Sequence, residues 1–280
     1  MFHDMGRFLC RTAGTLALTA TFAFGYTMDV TGPSDYVGEF TITGGGHSVS
    51  GYGGAFGSQL VPGNSIPSNT PKQMMFCVDF SNDITIPSGN IGVNLSTVTN
   101  GSSLADARFG LLGPSDFESV KVVDSGIDGT AKGILDAATA LQRYQMAAYL
   151  VTNYSFFSAG VPSTDHTYSD NTNLGIQAAI WAILDPTGSN FAPPTISPQG
   201  DLTTWLDNAA TWLNGGEPNS GFLANFRIVS DASIAGLSDP TRLNTGVQEF
   251  LTVVPEPGFF PLLAIALGLL FWRFRRAQRA

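Results

Sequence analysis

The sequence predicts an α+β fold: a β-rich, sandwich- or barrel-like core with an inserted group of helices, plus a separate apolar helix at the C-terminal end. Three observations lead there. Residues 26–130 are rich in Gly, Ser, Thr and Asn with short apolar runs between them, the texture of strands separated by turns. Residues 131–213 carry apolar positions at steps of three or four, the spacing of a helix face. Strand character then returns up to Val253. Strands, then helices, then strands argue a single α+β domain, and no internal repeat is visible.

Within the first block, residues 37–43, 74–80, 91–98 and 120–123 read as strands, and the glycine-rich stretch 44–57 as a hairpin or loop. That stretch lacks the Lys-Ser or Lys-Thr that a phosphate-cradling loop requires. In the second block, Ile134, Ala138, Leu141, Gln145 and Ala148 line one face of a helix over 131–154. A second helix is expected over 171–184, with Asn171 to Asn173 as capping residues and Asp185-Pro186 ending it. A third is expected over 202–213, capped by Asp201, with Trp205 and Trp212 on one face and Gly215-Gly216 after it. Residues 222–229 and 247–253 close the domain as strands.

Composition narrows function. Of 280 residues, 43% are hydrophobic and only 12% charged, against roughly 25% charged in an ordinary soluble domain. In residues 26–257, Lys72, Lys121, Lys132, Arg108, Arg143, Arg227 and Arg242 face 21 carboxylates, a net charge of about −14. Phosphate neutralisation needs clustered cations, so nucleic acid is excluded as a partner of this region, as is docking on anionic lipid. Its two histidines, His47 and His166, leave little for a His-rich metal site, and no metal or cofactor is expected.

Both ends of the chain read as addresses. Arg7 and Arg11 precede an apolar stretch ending in Ala23-Phe24-Gly25, the layout of a secretory signal peptide over 1–25. Residues 258–272 form an uninterrupted apolar run bounded by Arg273, Arg275, Arg276 and Arg279, read as a transmembrane segment with a cytoplasmic cationic anchor. Pro255 and Pro257 bar a helix from extending upstream. Val254-Pro255-Glu256-Pro257, the apolar run and the Arg-rich tail together resemble the PEP-CTERM sorting signal over 254–280. That resemblance implies processing by an exosortase in a Gram-negative, exopolysaccharide-producing bacterium. It also implies a product delivered to the cell envelope or matrix.

Removal of the signal peptide leaves residues 26–253 as an exported ectodomain with one cysteine, Cys77, in Phe76-Cys77-Val78-Asp79. One cysteine makes no intramolecular disulfide. It is an inert buried thiol, one half of an intermolecular disulfide, a nucleophile, or a crosslink to something other than sulfur. The helix over 171–184 bears on the choice. It is apolar nearly all round, so it is expected to be deeply buried, and Gln177 is its only glutamine. Burying that carboxamide unpaired costs about 1–3 kcal/mol. Either a hydrogen-bond partner satisfies it or the amide is consumed. Attack of a thiol on the carboxamide carbon expels ammonia and leaves an internal thioester, provided water is kept out.

At these residues the chain resembles the thioester domains of bacterial surface adhesins. The matching pieces are Phe76-Cys77-Val78-Asp79 and Ile176-Gln177-Ala178-Ala179-Ile180-Trp181, with Ile176 where those domains have Thr. The resemblance implies that Cys77 and Gln177 are the thioester partners. It also implies a non-enzymatic adhesin that captures a nucleophile on a surface protein or polysaccharide-associated partner. Gln145, in Tyr144-Gln145-Met146-Ala147-Ala148-Tyr149, is a competing amide on its own helix face. The alternative is a noncovalent structural protein of the exopolysaccharide or biofilm matrix with Cys77 simply buried. A Cys77–His166 dyad lacks a local protease signature. Asp124, Asp128 and Gly129, or Asp165, Asp170 and Asn171, lack calcium-loop spacing.

Overall fold

The computed structural model describes residues 25–44, 47–79, 82, 84–117, 127–154, 171–184, 199–216 and 220–254. Six antiparallel strands close a barrel in the order β1-β2-β3-β6-β5-β4. The strands are β1 (Tyr26–Gly44), β2 (His47–Pro62), β3 (Gln73–Cys77), β4 (Ile91–Thr97), β5 (Phe226–Asp231) and β6 (Phe250–Val253). The α+β class with a β-rich core is therefore the observed one, and of the two core geometries it is the barrel that forms. Between β4 and β5 lie helices α1 (Gly129–Ala137), α2 (Ala140–Val151), α3 (Asn171–Leu184), α4 (Gln199–Asn214) and the short α5 (Ser220–Leu223). A one-turn helix, α6 (Asp239–Leu243), separates β5 from β6.

β1 and β2 form a hairpin longer than the barrel needs. Tyr26–Met28 pair with β4, and Ala55–Ser58 pair with β3. Above those rows β1 pairs only with β2 among the described residues, out to Gly44 opposite His47. Register shifts fall between Val30 and Gly32 and between Pro33 and Val37, where a bulge admits a proline that could not donate to a ladder. Of the glycine-rich stretch 44–57, Gly44 thus ends the first strand of this hairpin and residues 47–57 belong to the second. Gly54 adopts φ 128°, a conformation open to glycine and strained for other residues.

The helical segment over 131–154 is two helices, not one. Ala138 is extended (φ −69°, ψ 129°), and Thr139 opens α2 with a capping box. Gln142 accepts from the Thr139 backbone N–H at 2.9 Å while Thr139 Oγ1 accepts from Gln142 N at 3.3 Å. Those local bonds satisfy N-terminal donors and compete with continuation of α1. Arg143, one turn into α2, closes the break. Its guanidinium donates to the carbonyls of Ala138 and Leu135 at the end of α1 and of Ile183 in the last turn of α3. It thus caps carbonyls that helix ends leave orphaned. It also lies 4.2 Å over the Phe117 ring, and burial lowers its pKa to about 10.

α3 matches its expected span. Asn171 to Asn173 lie inside its first turn instead of ahead of it, and every residue from Gly175 to Leu184 is buried. At about 1.5–3 kcal/mol for each large apolar side chain removed from water, this helix is a main contributor to the core. α2, α3 and α4 pack against one another. α4 begins before Asp201, so that aspartate lies in the helix and is not its cap. Leu223 belongs to a helical turn, and strand β5 starts only at Phe226. The expected strand at 120–123 and the ends of the chain, including 258–272 with its arginines and Pro255, Glu256 and Pro257, lie outside the described residues. Among the described residues, no helix is long and apolar enough to cross a membrane.

Candidate functional site

Cys77 ends β3, where the strand is covered on both faces: Met75, Phe76 and Cys77 are all buried. α3 lies against this end of the strand and brings Gln177 and Trp181, one helical turn apart, to the cysteine. The Gln177 carboxamide Nε2 donates to the Cys77 backbone carbonyl at 2.9 Å, and the Trp181 indole Nε1 donates to Cys77 Sγ at 3.3 Å. Tyr154, in the turn after α2, donates its phenol to Gln177 Oε1 at 2.7 Å. The Cys77 thiol is 3.4 Å from the Asp79 backbone carbonyl, its acceptor. All four side chains are dry: Cys77 and Gln177 are 0% exposed, Tyr154 and Trp181 3%.

The pocket is closed by packing. The Tyr154 ring stacks on Phe76 with centroids 5.5 Å apart. The backbone of β2 runs directly over the Trp181 indole. A Cβ added to Gly53 would sit 2.3 Å from its Cη2 and 2.5 Å from its Cζ2, so only glycine fits there. Gln177 Cγ is 3.2 Å from the same point. Thus β2, β3, α3 and the end of α2 each supply one wall.

The two glutamines occupy different settings. Gln145 donates to the Val98 carbonyl at 3.0 Å, next to the end of β4, and no bond links it to Cys77. Gln177 is the one that meets the cysteine. Both of its polar atoms have a partner, and such pairing alone accounts for a buried carboxamide. Its nitrogen takes as acceptor the backbone carbonyl of the cysteine itself, while the neighbouring Trp181 indole donates to the Cys77 sulfur.

A second buried cluster begins two residues further along the chain. Arg108 Nε lies 2.7 Å from Asp79 Oδ2, both side chains fully buried. The Arg108 guanidinium also donates to the carbonyls of Arg242, Thr245 and Val247, and the Arg108 backbone N–H donates to Glu249 Oε2. Ser230 and Tyr144 hydroxyls donate to the same carboxylate. Burial raises the Glu249 pKa against the pull of these donors and of Arg108. Burial, with the Glu249 charge adding to it, holds the Tyr144 phenol well above its usual range. Val78 N donates to the Glu249 carbonyl at 3.1 Å, so the residue that follows β3 joins the two clusters.

Sequence patterns point to Cys77 and Gln177 but not to Tyr154, Gly53 or this ionic cluster. The available signal for the cluster was scarcity. Arg108, Arg143 and Arg242, three of the four arginines in residues 26–257, are buried. Arg108 sits in the apolar string Ala107-Arg108-Phe109. Asp128 caps α1 through the backbone N–H of Thr130 and Ala131, bonds that lower its pKa. Among the described residues no group of acidic, His or Cys side chains could hold a metal ion. His166, Asp124, Asp165 and Asp170 lie outside them. No family model matches the chain, and neither a curated protein nor a solved structure matches it.

Proposed function

We propose that the chain is an exported, non-enzymatic surface protein, and more specifically an adhesin whose Cys77 and Gln177 condense into an internal thioester. The observation that carries this reading is the hydrogen bond from the Gln177 carboxamide to the Cys77 backbone carbonyl in a site closed to water. In the condensation, Cys77 Sγ bonds to Gln177 Cδ and the Cδ–Nε2 bond breaks. The thiol proton leaves with the nitrogen as ammonia. Water exclusion protects the product from hydrolysis until a nucleophile on a surface protein or polysaccharide-associated partner opens it and becomes attached. Export rests on the signal-peptide layout of 1–25. Delivery to the envelope or matrix through an exosortase, after transient membrane retention by 258–272, rests on the tripartite pattern of 254–280. A noncovalent matrix protein is the competing reading, and the pairing of both polar atoms of Gln177 is the observation in its favour.

Intact mass separates them. The purified full-length chain is expected to weigh one ammonia less than its sequence requires. The deficit should vanish in Cys77→Ala and in Gln177→Ala and persist in Gln145→Ala. Methylamine should then add once to the wild type. Gln177 recovered intact, neither condensed nor hydrolysed to Glu, beside an unmodified Cys77 would leave the matrix reading standing.

A further inference from the structure

Hydrogen-bonding logic fixes which way round the Gln177 amide lies. The Cys77 backbone carbonyl can only accept, so the atom 2.9 Å from it must be the amide nitrogen. Oε1 then faces Tyr154, and at 2.7 Å the phenol must be the donor. The reverse orientation would set two acceptors against each other at Cys77. The phenol is therefore aimed at the one oxygen on which negative charge develops when the carbonyl carbon is attacked.

We propose that Tyr154 is a catalytic residue of the acyl chemistry at Gln177, supplying the oxyanion donor for both formation and opening of the thioester; this rests on the thioester reading. In formation, the Cys77 sulfur attacks Cδ, the carbonyl π pair moves to Oε1 against the Tyr154 O–H, and the pair returns as ammonia departs with the thiol proton. In opening, an amine attacks the same carbon, Oε1 again carries the charge against Tyr154, and the C–S bond breaks. The proton lost by the amine goes to sulfur, where the Trp181 N–H is already placed at 3.3 Å. The donor is preorganised. Its ring is stacked on Phe76, its backbone N–H bonds the Val151 carbonyl at 3.3 Å in the turn closing α2, and it is almost fully buried. A donor held in place in a dry site needs no reorganisation as charge builds, which is where such groups are most effective.

The test uses the full-length chain with glutamine labelled by carbon-13 at the side-chain carbonyl. Isotope-edited infrared spectra and the rate of methylamine adduct formation by intact mass are compared for wild type and Tyr154→Phe. Phenylalanine keeps the ring on Phe76 and removes only the donor. The thioester carbonyl band should move to higher frequency in Tyr154→Phe, with methylamine capture roughly 100-fold slower. A folded Tyr154→Phe that forms no bond at all supports the same assignment. An unshifted band with capture at the wild-type rate overturns it while leaving the thioester intact. Were the variant not to fold, the wild type decides: a thioester band where a small thioester absorbs in hydrocarbon solvent, with nothing donating to it, overturns the proposal. A wild type with no ammonia deficit and Gln177 intact removes both the thioester and this role.

Discussion

Two residues apart on the segment leaving β3, Cys77 and Asp79 enter buried polar clusters of opposite kinds. The Cys77 cluster is neutral: a thiol, a carboxamide, a phenol and an indole linked by uncharged hydrogen bonds. The Asp79 cluster is ionic: a guanidinium between Asp79 and three backbone carbonyls, with Glu249 buried beside it. Asn82 Nδ2 adds a bond to Asp79 Oδ2 at 2.9 Å, and Gln248 Nε2 one to its backbone carbonyl at 2.9 Å. The ionic cluster ties loops from distant parts of the chain to the barrel, whereas the neutral one leaves a sulfur and an acyl carbon undistorted by charge. A carboxylate or guanidinium placed against Cys77 would demand compensation of its own. The fold keeps its charges one step away and lets them hold the strand on which the cysteine sits.

The largest expected effect follows from that division. Asp79→Asn leaves Arg108 buried without its countercharge, which costs about 3–5 kcal/mol. Urea unfolding should show a lower midpoint with an unchanged slope. In a Cys77→Ala parent, where no crosslink can contribute, Gln177→Ala should cost less, about 1–3 kcal/mol, for the two buried hydrogen bonds it removes. A Gln177 loss equal to that of Asp79→Asn would break the comparison, since the neutral cluster would then be as structural as the ionic one.

What the residues alone disclose divides along the same line. Helical periodicity and the all-round apolarity of 171–184 predict α3 and its burial, because burial leaves a periodic trace. The lone cysteine and the only glutamine of that helix are conspicuous by chemistry. The break between α1 and α2 does carry a local mark, the Thr139-x-x-Gln142 spacing of a capping box, but the apolar periodicity that runs on across it masks the boundary. Tyr154 reaches Gln177 only through the packing of α2 on α3. The Arg108 cluster joins positions as distant as Asp79 and Glu249, and Gly53 is dictated by an indole in another element. Such contacts come from tertiary assembly and have no signature at short spacing.

The walls of the neutral site can be tested separately from its hydrogen bonds. Gly53→Ala drives a methyl group into the rigid Trp181 ring, and overpacking of this kind costs about 1–3 kcal/mol. Gly57→Ala, four residues along the same strand with nothing within 4 Å of the added carbon, should change stability by less than about 0.5 kcal/mol. Equal urea midpoints for the two variants would show that β2 does not close over Trp181, and the dry pocket would lose its roof.

The smallest effect sharpens the contrast by pH. The Glu249 pKa is raised in the folded state, chiefly by burial, from the ordinary glutamate value of 4.5. Above that value the unfolded chain has released its proton while the native state still holds it. This group's contribution to stability therefore falls as pH rises from about 4.5 through the raised native value, and is flat beyond it. Thermal midpoints measured across that window should lose this component of their slope in Glu249→Gln, where the side chain stays polar but cannot ionise. Gln177→Ala should leave the slope unchanged, because the Cys77 cluster contains no carboxylate. A slope that survives in Glu249→Gln would mean that the titrating charge lies elsewhere, and that Tyr144, Ser230 and the Arg108 N–H hold an ionised Glu249 as readily as water does.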